Sequence, residues 1–333
     1  MRSSPSFGSL GILSLSLMGV ALAGCSGAED MKPASPSSAP GVGKSSAKVE
    51  TWSSGKKLSG VVEVPLGTTV EIAPGANIGC SQDAKVVVRG ILRVKAASAP
   101  AKISCNTWAG IEVVDAGVMI ADGLELENAD VGIATSGQGS EATLEHGVIK
   151  GSITPFTVGV ASKLSLVSTK VTAKGQSEVL GDLFASRLAY DKGAGEGIIM
   201  GHPNATLVMQ DSVLTGSGNG EFIDSAKGAL VKVSYTTIAG SHCAFHFDSI
   251  KRFEIDHVTT ETSVFSSMFY GSDEGGTVSY SNLVGTSVDI DIQNANGRIV
   301  LDHVYTLGRD QVKGTAPVIT NRRTAAVPDA KPR

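Results

Sequence analysis

One phrase returns along the whole chain, and it constrains the fold more than any other feature. An apolar residue, one or two polar residues, a turn position and a second short apolar run begin in turn at Ile120, Leu144, Leu166, Met209, Val233, Ile255, Val278 and Leu301. The openers lie 22 to 24 residues apart, with a single gap of 43 after Leu166. Leu188 as a hidden opener divides that gap, and Ile72 and Val94 carry the series backwards. A fixed period of this length marks a solenoid or a propeller. Leucine-rich repeats share the period, but their Leu-x-x-Leu-x-Leu frame is missing. Helical repeats need longer amphipathic runs than these glycine-punctuated stretches allow. The remaining solution is all-β: a parallel β-helix of about 11–12 coils of about 23 residues, each coil stable because its neighbours bury its inward side chains.

Composition fits that solution. Forty glycines in 333 residues supply turns, and aromatics make up only 5%. A net charge of −4 with no basic cluster excludes nucleic acid as a partner. The repeats fill residues 49–314, whereas 25–48 and 315–333 hold too little apolar surface to offset the entropy of ordering. These two stretches are expected to be a flexible linker and a disordered tail. Within the body, 176–200 is ambiguous: Val179, Leu180, Leu183, Phe184 and Leu188 suit a short side helix or a degenerate coil.

The N-terminus has the layout of a secretory signal: Arg2, an apolar run from Phe7 to Ala23, then small residues before a cysteine. Leu22-Ala23-Gly24-Cys25 resembles a bacterial lipobox. That resemblance implies a signal peptide over 1–24, acylation of Cys25, and a membrane as partner through the lipid chains. Ser26 after the cysteine implies the outer membrane. A second resemblance rests on Trp52, Gly67-Thr-Thr-Val-Glu-Ile-Ala-Pro-Gly-Ala-Asn-Ile78, Val86-Val-Val-Arg-Gly-Ile-Leu92 and Trp108-Ala-Gly-Ile111. It covers about residues 50–310 and is similar to the opening of right-handed β-helix proteins of the pectate-lyase-like superfamily. It implies the right-handed fold, not an activity, because that superfamily mixes lyases, hydrolases, adhesins and inactive members.

Two cysteine phrases, Ala76-Asn-Ile-Gly-Cys80 and Ala101-Lys-Ile-Ser-Cys105, lie 25 residues apart. Equivalent positions on adjacent coils are about 4.8 Å apart, so a Cys80–Cys105 disulfide is expected in an exported protein. Cys243 alternates with Phe245 and Phe247 and reads as a core thiol. The cysteines lack the spacing of a zinc site.

Two columns of side chains follow from the period. Two positions after each opener stand Asp122, His146, Ser168, Asp211, Tyr235, His257, Tyr280 and His303, expected to stack and order a turn. Further along, alternation places Phe222, Asp224, Ala244, His246, Asp248, Met268, Tyr270, Asp289, Asp291 and Gln293 on one exposed sheet. Asp224 and Asp248, expected one coil apart, suit a retaining-glycosidase pair or a bridging calcium ion, the only cofactor considered. His246 is a third candidate for catalysis. Tyr270, Asp289, Asp291 and Gln293 are the binding candidates.

The basic residue that a pectate-lyase mechanism needs beside its calcium carboxylates is missing from this patch, as are the polygalacturonase motifs. The expected function is therefore a lipid-anchored envelope protein whose β-helix binds polysaccharide or a partner envelope protein, or serves as a scaffold. The alternative is a lyase or hydrolase of acidic glycans using Asp224 and Asp248.

Overall fold

Every turn of the chain is laid on the one before it, and all the strand pairings are parallel. The computed structural model describes residues 48–333 except 97, 294, 295, 315 and 316. The expected signal peptide, the acylated Cys25 and the linker up to residue 47 lie outside the described residues. What it shows is a parallel β-solenoid with turns about 23 residues apart. No helix among the described residues is long and apolar enough to cross a membrane.

Three sheets run the length of the solenoid. The first begins with Lys48–Trp52, Thr68–Ile72 and Ile91–Lys95. The second begins with Lys57–Leu58 and Asn77–Cys80, and the third with Val61–Val64 and Lys85–Val88. Register in the first sheet aligns the openers. Trp52, Ile72 and Val94 lead through Ala121 to Leu144 and Leu166. Ala185 comes next, followed by Met209, Val233, Ile255, Val278 and Leu301. The hidden opener is thus Ala185 rather than Leu188, and Ala121 rather than Ile120 holds its rung. Ile120 is instead an exposed neighbour.

Openers point inward into one continuous core. Aromatics fill its later turns, where Phe253 and Phe269 stack with ring centroids 4.6 Å apart and Phe247 packs beside both. Segment 176–200 contributes a shorter coil and no helix. Its strands Ser177–Val179, Asp182–Ser186, Ala189–Asp191 and Ile198–Met200 join the three sheets in order.

Between the first and second sheets the chain turns through a single left-handed residue. His146, Ser168, Arg187, Asp211, Tyr235, His257, Tyr280 and His303 all have positive φ there. Gly123, not Asp122, occupies the corresponding place. Non-glycine residues in this region are strained, and stacking offsets the strain: Tyr235, His257, Tyr280 and His303 lie 4.6, 5.1 and 4.6 Å apart in sequence.

The C-terminal residues differ from the expected disordered tail. Val318–Thr320 adds a rung to the first sheet. Beyond it the chain docks on the second sheet, where Asn282 pairs with both backbone groups of Val327 and Ala330 is buried. The tail has little apolar surface of its own, but the solenoid supplies the partners that its backbone needs.

Candidate functional site

The third sheet carries the polar site. Its register places Ile199, Asp224, His246, Met268 and Asp291 on successive rungs. Tyr270 and Gln293 pair two residues further along. Asp224, His246 and Tyr270 therefore share one face, as their spacing in the sequence suggests.

Asp248 does not take the expected place beside Asp224. Ser225 pairs with Phe247 and Ala226 with Ser249, so Asp248 is the extra residue of a β-bulge. The bulge turns its carboxylate back to its own strand, where Oδ1 lies 3.0 Å from His246 Nε2. His246 Nδ1 lies 3.7 Å from Asp224 Oδ1. An imidazole therefore stands between the two carboxylates. The directly facing acid pair expected from the sequence is replaced by an Asp–His–Asp arrangement.

Other members of the expected patch also move. Phe222 and Ala244 are fully buried. Asp289 is buried as well, and it accepts from the backbone N–H groups of Gly285 (3.2 Å) and Arg309 (3.1 Å) and from the Arg309 guanidinium (3.1 Å). A carboxylate so fully satisfied is a structural tie inside the last turns. Asp291 stays with the site, covered by its neighbours: Tyr270 donates its hydroxyl to Oδ2 at 2.6 Å, and Gln293 donates its amide at 3.0 Å. Burial, with this hydrogen bond, raises the phenol pKa of Tyr270. His246 meets the Tyr270 ring edge-on at 5.8 Å.

Three residues absent from the sequence reading complete the site. Glu221 places Oε1 3.8 Å from His246 Nδ1. Its backbone N–H donates to Glu196 Oε2 at 2.6 Å. Burial and the adjoining Glu221 carboxyl push the Glu196 pKa up to about 7. Lys192, fully buried, donates to the carbonyl oxygens of Gly195 and Gly220, the latter at 2.8 Å. Burial lowers its pKa, against the pull of Glu196 and Glu221. Asp224 is held above the ordinary carboxylate range by burial, opposed by His246 and reinforced by Glu221 and Asp248. Its Oδ1 is buried, and no described protein group hydrogen bonds it. The one available signal for Glu196 and Glu221 was their separation of 25 residues, one turn of the solenoid.

The strip thus sets five carboxyl groups, Glu196, Glu221, Asp224, Asp248 and Asp291, against two basic side chains, Lys192 and His246. It is rich in hydrogen-bond acceptors and repels anions. On another edge, ligand atoms of Asp122, Glu145 and His146 lie within 4.8 Å of one another, with Glu145 and His146 in the intermediate-to-exposed range. The Asp122 carboxylate is already 2.9 Å from His146 Nδ1. The Cys80–Cys105 disulfide is present, with a Cα–Cα distance of 5.4 Å, and Cys243 is a buried free thiol.

Compared with known proteins, the chain matches no family model, no curated protein and no solved structure. Fold and site together define a parallel β-solenoid with one carboxylate-rich face.

Proposed function

We propose that this protein is a lipid-anchored component of the bacterial outer envelope whose β-helix binds a neutral or amino-sugar polysaccharide along the third sheet. The observation that carries this reading is the strip from Glu196 to Gln293. It presents carboxylate, imidazole, phenol and amide groups at the spacing of successive rungs, about 4.8 Å, which suits a polymer of repeating hydroxyls. Five carboxyl groups favour sugar hydroxyls or amines and disfavour the acidic glycans of the alternative reading.

Titration calorimetry of the full chain in neutral detergent, with neutral, amino-sugar and acidic polysaccharides, tests the proposal. Binding should favour the first two and weaken at least tenfold in Asp224→Asn and His246→Ala. Preference for acidic glycans, or unchanged affinity in both variants, would refute it. The anchor has its own test, because mass spectrometry of the mature protein should find Cys25 first and acylated.

A hydrolytic reading draws on a different feature, the Glu196 carboxyl beside Glu221, whose pKa burial pushes up to about 7. A general acid in a glycosidase needs such a raised pKa. Release of reducing ends from a neutral glycan, lost in Glu196→Gln, would favour hydrolysis over binding alone.

A further inference from the structure

Gly79 lies inside the strand Asn77–Cys80, paired without a register break to Lys57 on one rung and Ser104 on the next. Glycine weakens a strand, and there it often marks a bulge, a tight bend, or a close approach of another backbone or a ligand. No bulge is present, and the φ of Gly79 is ordinary. No backbone approaches either, since a Cβ added at Gly79 would meet no heavy atom within 4 Å. Of the described glycines, it alone combines ordinary φ with such open space. The space above Gly79 is open to a ligand.

The space belongs to an open cavity of about 620 Å³ over the first turns of the second sheet. Small-molecule sites occupy roughly 300–1,000 Å³. The Cys80–Cys105 bridge and Leu58 contribute to its floor, while Lys57, Ser59, Ser81, Asn106 and Asn128 line it. Asn128 donates its amide to the Cys105 carbonyl at 3.0 Å, which fixes the side chain and leaves Oδ1 as an acceptor.

Among the described residues lining the groove, Lys57 is a cation without an ion-pair partner. Lys56 is paired with Glu50 and Lys102 with Glu127. Asp83 is bound by the Gly60 N–H at 3.1 Å and by the Ser81 hydroxyl, and it is not among the lining residues. Lys57 forms no ion pair among the described residues. Its ammonium is a compact point charge on a flexible stem, set beside neutral hydroxyl and amide groups.

We propose that this groove binds a small polyol bearing a single oxyanion, its charge on Lys57 Nζ and its hydroxyl-bearing body lying over Gly79 against Asn106 and Asn128. A sugar carboxylate and a glycerol phosphodiester both present that chemistry. The groove lies on a different sheet from the carboxylate strip, and its ligand has the opposite charge preference.

The test uses the full chain in neutral detergent with three probes: glucose, N-acetylneuraminate and glycerophosphoglycerol. Calorimetry should show at least one anionic probe binding tenfold or more tightly than glucose, and which one binds identifies the source of the oxyanion. Lys57→Gln, at an exposed position, should abolish the preference. Gly79→Gln fills the open space without straining φ and should weaken the anionic probe at least tenfold, with an unchanged urea midpoint. Asp224→Asn should leave this binding intact, whatever happens to polysaccharide binding at the strip. The proposal is overturned if neither anion exceeds glucose, if both groove variants bind as the parent does, or if Asp224→Asn removes the binding.

Discussion

Arg333 lies over the ring of Tyr235, its guanidinium carbon 3.8 Å from the ring centroid, while its Nε is 3.1 Å from Asp211 Oδ1. This contact joins residues 98 apart in number and ends the aromatic ladder with a cation. It also fixes the far end of a tail that Asn282 grips in the middle. Asn282 donates to the Val327 carbonyl at 2.9 Å and accepts from the Val327 N–H at 2.6 Å, as a neighbouring strand would.

Asn282→Ala should release the tail. Two backbone groups lose their partners, at a cost of about 1–3 kcal/mol for groups left buried and unpaired. Hydrogen exchange over 318–333 should accelerate, while the turns before residue 230 keep their protection. Unchanged exchange in the tail would show that Val318–Thr320, Thr259 and Arg333 hold it without Asn282.

Removing the Cys80–Cys105 bridge should loosen the first turns alone. Closing a loop of 25 residues is worth about 3.5 kcal/mol in the chain-entropy account. Solenoid turns interact only with their neighbours, so the Cys80→Ser/Cys105→Ser double variant should exchange faster over 57–113. Turns beyond 200 should be unaffected. Uniform acceleration along the chain would contradict nearest-neighbour stability.

Glu196 should make the fold less stable as pH rises. Its folded pKa of about 7 stands above its ordinary value of 4.5, so between these limits the native state holds a proton that the unfolded chain has released. Stability from this group is complete below pH 4.5 and is lost as pH rises through about 7. Urea midpoints measured at pH 5, 6 and 7.5 should fall along the series. Glu196→Gln should flatten the fall and exceed the parent midpoint at pH 7.5. An identical slope in the variant would mean that Glu196 does not hold its proton near neutrality.

Lys192→Met should destabilise the fold even though it removes a buried charge. The Gly195 carbonyl loses its donor, while Gly220 keeps the His242 N–H; an acceptor left unpaired costs up to about 1–3 kcal/mol. The lost cation should also drive the Glu196 carboxyl further up, since Lys192 pulls it down. A lower urea midpoint together with a pH dependence displaced to higher pH distinguishes this from simple loss of packing.

Periodicity in the chain determined the architecture, because a one-dimensional repeat of apolar openers specifies which residues stack. Ile72, Val94, Leu144, Leu166, Met209, Val233, Ile255, Val278 and Leu301 all hold the rungs that their spacing assigns. The same logic located the Cys80–Cys105 bridge, since matching phrases one period apart are neighbours in space. It also found the His–Tyr ladder from Tyr235 to His303.

Only the tertiary structure decided which side chains face outward at the site. Alternation along a strand holds only while the pairing is regular, and one extra residue resets it. The bulge at Asp248 set His246 between two acids expected to face each other. Asp289 went to the interior because Arg309, a turn further on, could satisfy it there. Ala185 displaced Leu188 because the coil from Leu166 to Ala185 is short, 19 residues, and a period alone cannot reveal where a coil is shortened. Burial raised the Glu196 carboxyl and lowered the Lys192 amine, which no local pattern of residues records.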